Sequence, residues 1–109
     1  MKALRIASIA TICLLIATSA VAGTLDDIKA SGELKLAYRA DTPPFSYRGR
    51  DSDVEGFTID LCRIIAGDIR QFLGLPDMKV KWVEVSAEDR FDAIASGRAD
   101  LECGSTTVT

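Results

Sequence analysis

The 109-residue sequence contains no histidine at all. Imidazole general-base catalysis, a Ser-His-Asp triad and histidine metal sites are therefore excluded within this chain. Cysteine is scarce: the three present are Cys13, Cys62 and Cys103, with no CxxC pair. A zinc ribbon and a disulfide-dense mini-scaffold are excluded with them. Positive charge is not in excess, with 13 basic against 16 acidic residues, so nothing points to nucleic acid as a partner. The longest uncharged apolar run, Ile6 to Ala17, is only 12 residues. That is too short to cross a hydrocarbon layer of roughly 30 Å. What remains is an ordinary globular mixture, 48% hydrophobic and 27% charged, which excludes disorder, collagen and a coiled coil.

Residues 1–22 read as a secretory leader. Lys2 and Arg5 supply the positive start, the apolar run follows, and Ala20-Val21-Ala22 is a small-x-small cleavage site. The expectation is a free protein outside the cytoplasm, beginning at Gly23. Cys13 is not a lipoprotein cysteine, because bulky Ile12 precedes it inside the apolar run. Without the leader the chain has 87 residues, 11 of them basic and 16 acidic, and a net charge of -5. A domain of that size buries a modest share of its surface and is marginal alone. Cys62 and Cys103 remain, and an oxidising compartment permits their pairing; two buried free thiols are the alternative.

The pattern of residues 23–109 alternates helix and strand. Thr24 caps a short helix, Leu25–Ala30, that stops at Gly32. Glu33 to Tyr38 alternates polar and apolar as a strand does. Thr42-Pro43-Pro44 breaks it, and Tyr47 to Gly56 reads as a polar loop. Ile59, Leu61, Cys62, Ile64, Ile65, Ile69, Phe72 and Leu73 form a wide helical stripe, which predicts one broad buried face. Gly74 and Pro76 end that helix. Met78 to Val85 is the second strand. Ser86 through Asp89 fits a capping pattern for a third helix with Phe91, Ile94 and Ala95 as apolar positions, and Ala99 to Cys103 is a short third strand. This order, α-β-α-β-α-β, predicts right-handed crossovers and a parallel α/β sheet. One domain is expected, and an incomplete one. Parallel sheets are normally covered on both faces, and the chain stops after a strand where a further helix is due.

Open parallel sheets bind ligands beyond the carboxyl ends of their strands. The residues falling there are Arg39, Asp41, Pro43, Pro44 and Phe45 after the first strand, Ser86 and Arg90 after the second, and Gly104, Ser105, Thr106 and Thr107 after the third. Two guanidinium groups, a hydroxyl run and an aromatic on one edge of an acidic chain suggest a small anionic ligand. Arginine suits a carboxylate because its planar fork donates two parallel hydrogen bonds. Each residue also has a plainer role. Arg39 pairs with Asp41 or Asp60, Arg90 is an exposed helix residue beside Glu88, Ser105 to Thr107 is an ordinary turn, and Phe45 is partly core. Trp82 is assigned to the sheet, and Glu84 and Glu102 are read as solvent-facing.

Thr24-Leu25-Asp26-Asp27-Ile28, then Gly32 and a strand, then Pro44-Phe45-Ser46-Tyr47 resembles the mature start of bacterial solute-binding proteins for polar amino acids, which serve ABC importers. Gly56-Phe57-Thr58-Ile59-Asp60-Leu61 is similar to that family's glycine-aromatic-acid-aliphatic-Asp signature, with Thr58 departing from the usual acid. Glu102-Cys103-Gly104-Ser105-Thr106-Thr107 resembles the glutamate/aspartate branch. The resemblance implies an N-terminal lobe fragment of a periplasmic, monomeric binding protein without cofactor or metal, working with a membrane permease. It gives Arg39 and Arg90 to the ligand's side-chain carboxylate, and Ser105 and Thr107 to its main-chain groups. Ala87 stands where that branch often has a binding serine. The family's arginine for the α-carboxylate and its second lobe are not in this sequence, so feeble binding by this chain alone is expected. A non-functional truncation and a lobe of a same-fold enzyme, such as a cyclohexadienyl dehydratase, are the alternatives. For an enzyme, Asp41 and Glu102 are the only acid candidates.

Overall fold

The computed structural model describes residues 23–108; the leader expected over residues 1–22 lies outside the described residues. Helix α1 spans Thr24–Ser31. Its cap is Gly23 rather than Thr24, and the Asp26 carboxylate reaches back to the Gly23 N–H at 3.3 Å. A carboxylate three residues into a helix does there what a capping-box glutamate does.

Strand β1 (Glu33–Tyr38) is the centre of a parallel sheet. It pairs on one side with β5 (Lys79–Glu84), from Glu33 opposite Lys79 to Tyr38 opposite Glu84. On the other side it pairs with β6 (Leu101–Cys103), from Leu36 opposite Leu101 to Tyr38 opposite Cys103. The expected parallel α/β architecture is therefore present. Between β1 and the long helix the chain adds a second, antiparallel sheet in the order β2 (Asp41–Thr42), β3 (Ser46–Arg48), β4 (Val54–Glu55). The expected loop over Tyr47–Gly56 is thus partly strand. Strands of two or three residues are too short to show an alternation, which is why the sequence pattern misses them.

Helix α2 (Phe57–Leu73) buries Ile59, Cys62 and Ala66 against Leu34, Leu36, Tyr38, Met78 and Cys103. Ile69 and Leu73 complete this seam, which follows three- and four-residue steps. The buried face is narrower than the wide stripe predicts. Leu61, Ile64, Ile65 and Phe72 lie off the seam and are exposed, Phe72 by 77%. At 100° per residue they sit on the flank turned away from the sheet, so apolar character alone overstates what the sheet can cover. The left-handed residue Gly74 ends the helix, as expected.

The opposite face of the sheet is lighter. Ala37, Val85, Ala93 and Ala99 pack there under α3 (Arg90–Ala95). Ser86 Oγ accepts the Asp89 N–H at 3.1 Å, in keeping with the capping pattern, but the Asp89 side chain turns to Arg98. Trp82 is half-buried on the α2 side, edge-on to Tyr38 with ring centroids 6.2 Å apart. Fully burying residues such as Leu34, Leu36 and Ile59 contributes about 2 kcal/mol each, so most of the stability sits between β1 and α2. Cys62 and Cys103 form a disulfide across a separation of 41 residues, pinning α2 to the end of β6. The two-thiol alternative does not apply to this structure.

Candidate functional site

All three parallel strands point the same way, so their following residues share one rim. Arg39 follows β1, Ser86 to Arg90 follow β5, and Gly104 to Thr107 follow β6. An open cavity of about 350 Å³ lies on this rim, lined by Arg39, Ala87, Arg90, Ser105, Thr106 and Thr107. The structure thus brings together five of the six residues proposed from sequence. Phe45 is the exception. It does not line the cavity, and it is half-exposed beside the proline turn.

The backbone at Arg39 is fixed by a buried serine. Ser46 Oγ donates to the Arg39 carbonyl at 2.8 Å and accepts the Arg39 N–H at 2.9 Å. Ser46 is fully buried, and pairing both its functions removes the penalty of burying a hydroxyl. The proline turn is tied to α2 in the same region: the Phe57 N–H donates to the Pro44 carbonyl at 2.9 Å and the Thr58 N–H to the Phe45 carbonyl at 3.0 Å. These bonds serve amides that the first turn of a helix leaves unpaired. Gly56 makes this approach possible. Its φ is 131°, and a Cβ there would lie 2.2 Å from the Phe45 carbonyl oxygen.

The side chain of Arg39 is only 13% exposed, and its Nε and Nη2 donate to the two carboxylate oxygens of Asp41 at 2.9 and 3.2 Å. The plainer reading of Arg39 as a partner of Asp41 is thus also present; Asp60 pairs with Arg63 instead. These hydrogen bonds hold the Asp41 carboxyl below its ordinary range and raise the Arg39 pKa. Arg90 differs. Its Nε donates to Thr106 Oγ1 at 3.0 Å, another of its nitrogens donates to the Ala87 carbonyl, and its guanidinium lies 4.4 Å from the Phe91 ring centroid. Among the described residues Arg90 has no salt bridge, and it does not pair with Glu88.

Glu102 corrects the sequence reading. It is not solvent-facing: its Oε1 is buried and finds no hydrogen-bond partner among the described residues. It lies under Gly104, where an added Cβ would meet Glu102 Oε1 at 2.1 Å and Arg39 Cγ at 3.4 Å. The strand alternation puts Glu102 between Leu101 and Cys103 without showing that the next turn folds back over it. Glu84 is half exposed, as expected, and forms an ion pair with Arg48 at 3.3 Å. No cluster of metal-ligating side chains exists among the described residues. A second cavity of about 320 Å³ lies at the opposite end of the sheet, around Lys35, Gly97 and Asp100.

The chain matches the family model of bacterial extracellular solute-binding proteins, family 3, over residues 34–109. It is 33% identical over 91 residues to a glutamate/aspartate import solute-binding protein of Escherichia coli (strain K12), covering 84% of this chain and 30% of that protein. It is 34% identical over 74 residues to a cyclohexadienyl dehydratase of Pseudomonas aeruginosa, covering 67% of this chain and 28% of the other. A point mutant of the arginine-bound domain 1 of TmArgBP superposes with a TM-score of 0.65 at 27% identity, covering 78% of this chain and 60% of that one. The chain thus spans about a third of the length of the curated relatives it matches. The matched residues take in all of the parallel sheet but Glu33, together with its rim, and on that ground the chain belongs to the bacterial extracellular solute-binding proteins, family 3.

Proposed function

We propose that this chain is the N-terminal part of the first lobe of the substrate-binding component of an ABC importer for polar amino acids, with glutamate or aspartate first among its ligands. The single observation that supports it most is the shared cavity of Arg39, Arg90 and Ser105 to Thr107. A carboxylate placed there accepts from a guanidinium fork, and the turn offers hydroxyl and backbone donors. The glutamate/aspartate import protein among its relatives supports the ligand class. In this reading residues 1–22 are a cleaved leader, the protein works in the periplasm, and the membrane permease is its partner.

Closure of two lobes around a ligand is the usual way to desolvate such charges. A single lobe leaves the ligand half in water, so binding on the order of 1 mM is expected. That an arginine-bound domain 1 is similar in fold supports testing one lobe by itself. Titration calorimetry with glutamate, aspartate, glutamine, arginine and an unrelated sugar is the test. Heat from the amino acids, lost about tenfold in Arg90→Ala, supports the reading. Heat from the sugar alone refutes it.

The enzyme reading is favoured by the Glu102 oxygen near Arg39, which has no hydrogen-bond partner among the described residues, and by relatives that include the dehydratase. Asp41 is a poor proton donor because Arg39 keeps it ionised. Turnover of a cyclohexadienyl substrate, abolished in Glu102→Gln, would establish that reading in place of the first.

A further inference from the structure

The parts of the rim are not held equally. Arg39 is tied down by Ser46, and the proline turn behind it by the Phe57 and Thr58 amides at the start of α2. The turn over residues 104–107 has much less. It follows β6, a strand of three residues at the edge of the sheet. Among the described residues its backbone makes no hydrogen bond, and its side chains make one, from Arg90 Nε to Thr106 Oγ1 at 3.0 Å. Ser105, Thr106 and Thr107 are all exposed. The last firm point before them is Cys103, which is fully buried, opposite Tyr38 in the ladder and bonded to Cys62. Cys62 lies on α2, the helix whose first amides hold the proline turn. The disulfide therefore refers both walls of the cavity to one helix: Arg39 through the proline turn, and the hydroxyl turn through Cys103.

We infer that Cys62 and Cys103 are positioning residues of the ligand site: their disulfide holds the hydroxyl turn in place against Arg39, and so sets affinity as well as stability. The inference rests on the reading of the rim as an amino-acid site. Neither cysteine lines the cavity, so both act through the turn. Turn and arginine are in close register, since a Cβ added at Gly104 would meet Arg39 Cγ at 3.4 Å. A turn already in place costs the ligand no ordering, whereas a turn released from α2 must be ordered at each binding event. Arg39 keeps its own anchors when the bond is absent, so binding weakens and is not abolished.

The test is titration of the ¹⁵N-labelled chain and of two variants with glutamate at about 10–20 °C, where folded stability is normally greatest. Cys62→Ala with Cys103→Ala removes the bond without burying a polar group. Ile59→Ala removes core packing on the same helix and leaves the bond intact. With circular dichroism unchanged in all three, the disulfide-free chain is expected to bind glutamate about tenfold more weakly, the scale of ordering one residue's backbone. Ile59→Ala is expected to bind within about twofold of the native chain, because lost packing away from the rim does not touch the turn. Equal affinity in all three, or an equal loss in both variants, overturns the positioning role and leaves the site in place. Should the alanine pair not fold, Cys62→Val with Cys103→Ala takes its place in the comparison. If neither pair folds while Ile59→Ala does, the bond serves stability alone and the inference falls. No saturable shift from any amino acid in the folded native chain overturns the site reading and the inference together.

Discussion

Gly56 is the residue with the least freedom to change. A methyl group there meets the Phe45 carbonyl oxygen at 2.2 Å, and the φ of 131° is strained for any L side chain. Gly56→Ala is expected to cost on the order of 3 kcal/mol, read from urea unfolding, because backbone rather than a flexible side chain must yield. Tyr38 contributes to the alkaline limb. Burial first, then the charge of Glu84, raises its pKa above the ordinary 10.0. The unfolded chain loses that proton near 10 and the folded chain later, so stability is full below pH about 10 and falls as pH rises past it. Tyr38→Phe is expected to flatten that fall in a pH series of thermal melts. Residue by residue, much of the rim was legible in the sequence, because a parallel sheet forces strand ends together whatever lies between. The ion pair of Arg39 with Asp41 was one of two open readings, and neighbours two apart could equally have turned away. Glu102 was misread, since its burial depends on how the Gly104 turn closes over it, and no local pattern carries that.

At the level of elements, α2 decides the fold. Its seam of Ile59, Cys62 and Ala66 meets the centre of the sheet, while Phe72 is 77% exposed. Ile59→Ala is therefore expected to lose about 2–5 kcal/mol and Phe72→Ala less than about 0.5 kcal/mol, measured side by side in denaturant. The disulfide from Cys62 to Cys103 adds a constraint across 41 residues. Closing a loop of that length removes entropy from the unfolded chain worth about 4 kcal/mol. Cys62→Ser with Cys103→Ser is expected to lower the melting point by many degrees, and native protein in excess reductant is expected to approach the same value. The main helices and strands could be read from their periods because each is long enough to repeat one. The antiparallel sheet of β2, β3 and β4 could not, since its strands are set by the turn over Pro43, Pro44 and Phe45 and by Arg48 reaching the Ser52 carbonyl, not by hydrophobic alternation.

For the molecule as a whole, charge is the useful contrast. The chain is acidic, with 13 basic and 16 acidic residues, yet two arginines converge at one end of its sheet. The opposite end offers a cavity of similar size around Lys35 and Asp100, where the Lys35 N–H is bound by the Asp100 carboxylate at 2.8 Å. These two ends supply an internal control for where a small acid binds. The most direct measurement is an amide spectrum of the ¹⁵N-labelled chain during titration with glutamate. The account predicts saturable shifts at Gly104, Ser105, Thr106, Thr107 and Arg90, with Lys35, Gly97 and Asp100 unmoved. Shifts confined to Lys35, Gly97 and Asp100, or a spectrum that glutamate leaves unchanged up to tens of its expected dissociation constant, would contradict it.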